Sequence, residues 1–478
     1  MTAEQNDNAP TTSDVTRDEL DKKILVVQTI LSNADSSPHE ILKQITAAIN
    51  ESNGGSKLVA TILSGGVTNY SYKVQVDTHP QLTIFAKLSF EYALFNPSAH
   101  HDLARTQNEY DAMKMARNVA PDCVVSPLAC WDLEHNGQKA KLLVTEWSNA
   151  DEQFGIQFHE GAVDPRIAPQ LADTIANLHT IESFDPEFNA QVKSSIIGLL
   201  EFVKQSSTEA AKKETPANRT EAYMAEVGAD IIFNILKDNI QDFEQTRDCL
   251  IHNDFHIFNI LCEKKPSIDK LEHFGPDGSV IVCDWEQTIV GPIGRDIGQA
   301  LAAPIGCLIG HMLNGYREAS IDNYINTLLD HYFERMAESG KSEDELAYIY
   351  RNSIGWIGWA QYVVFYFMKI QLDAFGVESE ELQNYMRDAM GLLGLKLMRL
   401  SYDKDYVAAA TSLSELKSMF TNLIEEEVIR AKSNFNSRKA KMHPRKSSML
   451  RASSRRVSDA SMYLLTADSL ARELSLNL

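Results

Sequence analysis

The sequence predicts an α+β fold, a small β-rich lobe followed by a larger, mainly helical lobe. Three observations carry that expectation. Short runs rich in β-branched and aromatic residues crowd the first third of the chain. Apolar residues at helical spacing dominate the rest. Between residues 249 and 291 two short apolar runs and a dense polar motif break the helical pattern.

Taken in order, residues 1–21 are polar and acidic with little to bury, and are expected to be disordered. PHEILKQITAAIN (38–50) sets Ile41, Leu42, Ile45 and Ile49 on one helical face. KLVATIL, NYSYKVQV and LTIFAKLSF read as antiparallel strands, and ARTQNEYDAMKMARNV as a helix. CVVSPLACWDL and AKLLVTEW are two more strands around the turn signal EHNGQ. This first lobe is expected over 22–148. The helical lobe follows over 149–428, with helices at PQLADTIANLHTI, at 221–240 and through most of 297–428. From Arg430 to Arg456 there are ten Lys or Arg and no Asp or Glu, so 429–478 reads as a basic, Ser-rich, disordered tail.

Composition narrows the function. With 478 residues, 44% hydrophobic and 23% charged, the chain is long enough for a sizeable core. A net charge of −21 argues against nucleic acid as partner. Cys123, Cys130, Cys249, Cys262, Cys283 and Cys307 form no CxxC pair and suit a reducing compartment. The N-terminal stretch lacks a basic start and apolar segment, and the runs ALAAPIGCLIG and VVFYFM are too short to span a bilayer. A cytoplasmic location is expected, with no transmembrane segment; an oligomer is compatible with the sequence.

The chemistry concentrates in LIHNDFHIFNIL, residues 250–261. By itself it admits three readings: a metal site of His252, Asp254 and His256; a hydrolase with a histidine base; or a phosphoryl-transfer loop. Asp254 is followed five residues later by Asn259 and preceded two earlier by His252, the H-x-D-x-x-x-x-N spacing of kinase catalytic loops. An attacking hydroxyl needs a carboxylate to orient it and take its proton, and a metal on ATP phosphates needs oxygen ligands at fixed reach. The strand VIVC then delivers Asp284, where kinases place a metal-chelating aspartate. Lys87 sits in a strand, where an inward lysine requires a partner, and Glu109 on the next helix is the natural one. Gly65 and Gly66 in LSGGVTNY offer backbone amides to phosphates, and the main chain near Glu146, Trp147 and Ser148 should meet the adenine. SGKS at 339–342 mimics the end of a Walker loop, but position 335 is Arg.

These residues resemble the aminoglycoside phosphotransferase and choline kinase superfamily, small-molecule kinases with a two-lobe, protein-kinase-like fold. The resemblance runs from about Leu58 to Leu400 and is carried by HNDFHIFN and the DWE…RDIG block. It implies an ATP-binding first lobe and a second lobe with the catalytic loop and acceptor pocket. It makes Asp254 the catalytic base, with Asn259 and Asp284 holding Mg2+ and Lys87 with Glu109 anchoring ATP. Asp296 would brace the loop through its backbone, and His252 would organise it. The acceptor would be a small-molecule alcohol. HND, SGGVTN and GWIGWAQYVVFYFMKIQLDAFG are similar to choline and ethanolamine kinases, so Trp356 and Trp359 would wall a cationic substrate. EQTIVGPIGRDIG and EGAVDPRIAPQLADTIANLH are similar to methylthioribose kinases instead, which usually carry glycine where this chain has Asn253. Ile257 and Phe258 are bulkier than the residues many members place there. Glu286 suits either an ammonium or a sugar hydroxyl. A nucleotide-binding protein of this fold without catalysis is the alternative of another class. RRVS at 455–458 suits phosphorylation at Ser458, and the basic tail could touch anionic lipid.

Overall fold

A computed structural model describes residues 12–441 apart from 53–54, 64–68, 94–95, 101, 151, 182–183, 264–279, 369–374, 376, 378 and 408–411. Gly65, Gly66, Ser458 and the rest of 442–478 lie outside the described residues. The chain divides into two compact units, one ending at residue 110 and resuming over 125–147, the other made of 111–124 and the chain from 148 onward. The first lobe expected over 22–148 therefore lacks 111–124, which cluster with the helical unit.

The first unit opens with α1 (Thr12–Asn33) and α2 (Glu40–Glu51), followed by β1 (Leu58–Ile62), β2 (Tyr70–Val76) and β3 (His79–Phe90). Two short strands, β4 (Tyr92–Ala93) and β5 (Asn96–His100), precede α3 (Ala104–Val119), and β6 (Pro127–His135) and β7 (Gln138–Glu146) complete it. The antiparallel sheet runs β1-β2-β3-β7-β6. Period-2 alternation decides its faces. Tyr72, Val74 and Val76 on β2, with Ile84, Ala86 and Leu88 on β3, enter a core closed by Val26, Ile30, Leu42 and Ile45 of the helices. α1 begins at Thr12, inside the stretch expected to be disordered, and is anchored further along by Val26 and Ile30. Asn136 and Gly137 both have positive φ, 52° and 77°, the primed-turn geometry that joins β6 to β7.

The second unit begins with β8 (Glu152–Gln153) and α4 (Gly155–Glu160). It continues through α5 (Ile167–His179), α6 (Ala190–Ala210), α7 (Arg219–Val227) and α8 (Ala229–Gln245). Four short strands follow: β9 (Cys249–Ile251), β10 (Ile260–Cys262), β11 (Val280–Val282) and β12 (Ile289–Gly291). Then come α9 (Gly294–Leu313), α10 (Ala319–Glu338), α11 (Glu343–Trp359), α12 (Glu380–Tyr402), α13 (Lys404–Val407) and α14 (Leu413–Lys441), with a wide-turn π segment at Ala360–Phe367. The tail expected to be disordered from 429 is helical through Lys441. Leu416, Phe420, Leu423, Ile424, Val428 and Ala431 are all buried, and this apolar stripe carries the helix past Arg430. The SGKS stretch is a helix junction: Gly340 has φ 92°, and Ser342 caps α11 in a reciprocal capping box with Glu345. α9 contains the ALAAPIGCLIG run. Among the described residues it is the one helix long and apolar enough to cross a membrane, and 94% of its apolar window is buried inside the protein.

Candidate active site

In the first unit, alternation turns Lys87 to the sheet face opposite the core residues Ile84, Ala86 and Leu88. There it meets α3. Thr106 donates to Ser89 Oγ (2.9 Å), and one turn later Glu109 pairs with Lys87, Nζ to Oε2 2.8 Å. Both charges are buried, 8% and 4% exposed, so neither would persist there without a partner. Glu146 stands opposite Ile84 in the β3–β7 ladder, and Trp147, just past β7, has its ring 4.7 Å from Lys73 Nζ.

In the second unit the polar motif lies between two strand pairs. β9 pairs with β12 and enters the loop; β10 leaves it and pairs with β11, Ile260 opposite Val282. The Cys283 amide donates to the Asn259 carbonyl (2.8 Å), which extends that pairing and brings Asp284 to the loop's exit. This is the physical reason for the separation of Asn259 and Asp284 in sequence: they sit at matching ends of two paired strands.

The loop is closed by backbone bonds to one carboxylate. Asp296, in the first turn of α9, accepts the amides of His252 (2.9 Å) and Asn253 (2.8 Å) on its two oxygens. Burial opposes its charge, but the His179 imidazole, with Nε2 3.6 Å from Oδ2, and the His252 amide hold its carboxyl below the ordinary value. His252 is fully buried. Its Nδ1 accepts the Asp254 amide (3.2 Å) and its Nε2 donates to the Cys283 carbonyl (3.0 Å), so one neutral tautomer links loop to strand end. Burial pushes its imidazole below the usual pKa, which fits that neutral state. With both nitrogens engaged, His252 has none to give a zinc ion or a nucleophile. The metal-centre reading of the motif therefore loses one of its three ligands, and His252 is excluded as the base of a hydrolase.

Asp254 is 7% exposed. Asn259 Nδ2 donates to its carboxylate (3.0 Å) and its carbonyl (3.1 Å), and His256 Nε2 lies 3.4 Å from Oδ1. Burial raises the Asp254 carboxyl above its ordinary value, an effect that His256 opposes. The nitrogen of Asn259 is committed to Asp254, and its amide oxygen is an acceptor. Asp284 has φ 63° and starts the turn Trp285–Gln287. Glu286 is buried at 4% exposure, and a carboxylate oxygen of Glu286 lies within 4.8 Å of one of Asp284.

Trp356 and Trp359 are not a substrate wall. They are 0% and 5% exposed, and the cation over both rings is the chain's own Arg295, 4.5 and 4.4 Å from the ring centroids. Trp356 Nε1 also donates to the half-buried carboxylate of Asp242 (3.0 Å). The i, i+3 spacing correctly put both rings on one face; that face turns into the helix core.

Sequence reasoning missed three contributors. Arg295 adjoins Asp296 in the RDIG block, but a buried arginine runs against the ordinary distribution of charge. Asn253 has φ 65° and bridges to the Gln287 carbonyl (3.0 Å). Asn189, also left-handed at φ 57°, donates to the carbonyls of Glu286 (3.0 Å) and Thr288 (2.9 Å). Nothing local marks it, since its partners lie about a hundred residues away in the chain.

A family model described as the phosphotransferase enzyme family matches residues 59–338, more than half of the chain. No curated protein matches it. Among solved structures, a microcompartment-associated aminopropanol kinase is 11% identical, with a TM-score of 0.40 over 73% of this chain and 94% of that one. An aminoglycoside phosphotransferase from Alicyclobacillus acidocaldarius is 12% identical, with a TM-score of 0.33 over 80% and 93%. A GDP complex of an aminoglycoside 2′-phosphotransferase variant is 10% identical, with a TM-score of 0.35 over 84% and 99%.

Proposed function

The chain belongs to the phosphotransferase enzyme family, and from that premise we propose an ATP-dependent kinase that phosphorylates a hydroxyl of a small amino alcohol, the choline and ethanolamine type. The observation that carries this reading is the closed loop itself. Asp254 is buried, oriented by Asn259, and joined through Cys283 to the strand end that bears Asp284.

In this reading Asp254 accepts the proton of the acceptor hydroxyl and holds its oxygen in line for attack on the γ-phosphorus. A raised carboxyl pKa makes Asp254 a stronger base than an exposed aspartate would be. Lys87, held by Glu109, pairs with the α- and β-phosphates, and the main chain near Glu146 and Trp147 receives the base. The donors Asn259 Oδ1 and Asp284 are hard oxygens, the set that suits magnesium. Bound there, the ion would neutralise phosphate charge during transfer. Glu286 is the group that pairs with the acceptor's ammonium. Ethanolamine ranks above choline here, because the aromatic pair that suggested a quaternary ammonium already stacks on Arg295. The same observation favours a second reading, a methylthioribose, sugar or aminoglycoside acceptor bonded through its hydroxyls to Glu286.

ADP release from magnesium-ATP should be measured with ethanolamine, choline, methylthioribose and an aminoglycoside. One acceptor should drive turnover, chelation should abolish it and added magnesium restore it. Asp254→Asn should lower kcat by roughly 10²–10⁴. Full activity in that variant would remove Asp254 from the mechanism. ATP binding without turnover on any acceptor would favour a non-catalytic nucleotide binder.

A further inference from the structure

Arg295 is the least expected residue in the second unit. It is 2% exposed, yet ionised, and burying a guanidinium costs several kcal/mol before compensation. The fold compensates with aromatic faces. The guanidinium carbon lies 4.8 Å from the Phe243 ring centroid, besides its contacts with Trp356 and Trp359. Burial lowers its pKa, but only to about 10, so the charge persists at neutral pH. Nη1 is buried with no hydrogen-bond partner among the described residues, whereas Nε donates to Asn253 Oδ1.

Asn253 converts that contact into loop geometry. Its backbone is left-handed, a conformation that few non-glycine residues adopt and asparagine adopts more readily than most. Three bonds hold it there: its amide to Asp296 (2.8 Å), its Nδ2 to the Gln287 carbonyl (3.0 Å), and its Oδ1 from Arg295. Asp254 is the next residue. Gln287 adjoins Glu286, so one asparagine ties the peptide before Asp254 to the turn that carries Asp284 and Glu286.

We propose that Arg295 is a positioning residue for phosphoryl transfer: clamped by three aromatic rings, it fixes Asn253 and thereby the orientation of Asp254. The proposal rests on the reading of Asp254 as the base. Arg295 touches no substrate in it. Its planar guanidinium is the required feature, because a lysine can neither stack in the same manner nor present Nε at that angle.

The test is a double-mutant cycle on the full chain with the acceptor that drives turnover. Asn253→Gly keeps the left-handed backbone without strain but removes both amide bonds. Arg295→Lys keeps the charge but not the fork. Each should lower kcat by tenfold or more, since displacements of about 1 Å can cost 10²-fold, with KM for both substrates within about twofold. If Arg295 acts through Asn253, the double variant should lose no more than the worse single variant. Losses that multiply, or an Arg295→Lys enzyme with unchanged kcat, would overturn the proposal. Should Arg295→Lys fail to fold, Asn253→Asp decides against Asn253→Gly: aspartate keeps the acceptor for Arg295 and should retain clearly more kcat, and equal loss in both overturns the proposal. Asp254→Asn in parallel separates the two claims. A fully active Asp254→Asn enzyme removes the base, whereas an inactive one beside multiplicative losses removes only the role of Arg295.

Discussion

Asp296 does at the residue scale what a helix cap does elsewhere: one carboxylate satisfies two backbone amides that the loop cannot pair internally. Its pKa below the ordinary value has a defined consequence for stability. A carboxyl depressed on folding stabilises fully above its unfolded value near 4 and loses that contribution as pH falls through the folded value. Asp296→Asn should therefore destabilise by about 2–4 kcal/mol at pH 7, and the difference from the parent should shrink below about pH 4. Urea unfolding at both pH values checks this; a pH-independent difference would mean that the charge is not what matters. That Asp254 and Asn259 meet, and that Asn259 lies beside the strand end bearing Asp284, was legible from spacing, because a loop of fixed length between strands leaves few arrangements for its polar side chains. Arg295 was not. Hydropathy patterns assign charge to the surface, and only the three surrounding rings explain its burial.

Among elements, the contact of α9 with α11 decides what the tryptophans do. A Cβ added at Gly298 would lie 2.5 Å from the Trp356 Cβ, so the helices approach as closely as glycine allows. Gly298→Ala should cost about 1–3 kcal/mol by overpacking and lower Tm, with the Trp356 fluorescence reporting the shift. An unchanged Tm would show that α11 moves away freely. The start of α6 has a different task. Asn189 holds the carbonyls of Glu286 and Thr288, and one turn on, Lys193 Nζ donates to the Val290 carbonyl (3.2 Å). Asn189→Ala should raise KM for the acceptor several-fold while leaving KM for ATP within about twofold, if Glu286 contacts the acceptor. An equal rise in both would count against that placement. In the first unit α2, α3 and the five strands of the larger sheet were readable from period and turn residues, whereas α1, β4 and β5 were not, and the Lys87–Glu109 pair was readable from the expectation that a strand lysine needs a partner. The π segment after Trp359 was not readable, because apolar runs of that length look alike in any helix.

For the whole molecule, the expected α+β class with a small sheet unit and a larger helical unit is what the chain adopts, and its expected family is the one it belongs to. The C-terminal helix is part of that body. Arg219 of α7 pairs with Asp388 of α12 (2.7 Å) and Glu427 of α14 (3.1 Å), the last fully buried. Arg317 pairs with Glu425. A chain stopped at residue 412 would lose the six buried apolar side chains of α14 and uncover the surface of α9, α11 and α12 on which they pack, and is expected to aggregate or melt well below the full chain in a thermal scan; an unchanged Tm would make the helix an appendage.

By itself the sequence determined the phosphotransferase family and a fold that passes from strands to helices, and the order and spacing of Lys87, Glu109, Asp254, Asn259 and Asp284 on which the proposed site rests. Those features are local, set by residue type, period and loop length. Tertiary structure alone decided which aromatic and charged side chains face inward. It put Arg295 between Phe243, Trp356 and Trp359, and Asn189 beneath Glu286, by bringing together residues about fifty to nearly a hundred positions apart. Packing of that range leaves no periodic trace in the chain, since each partner pays its desolvation only against the other in the folded state.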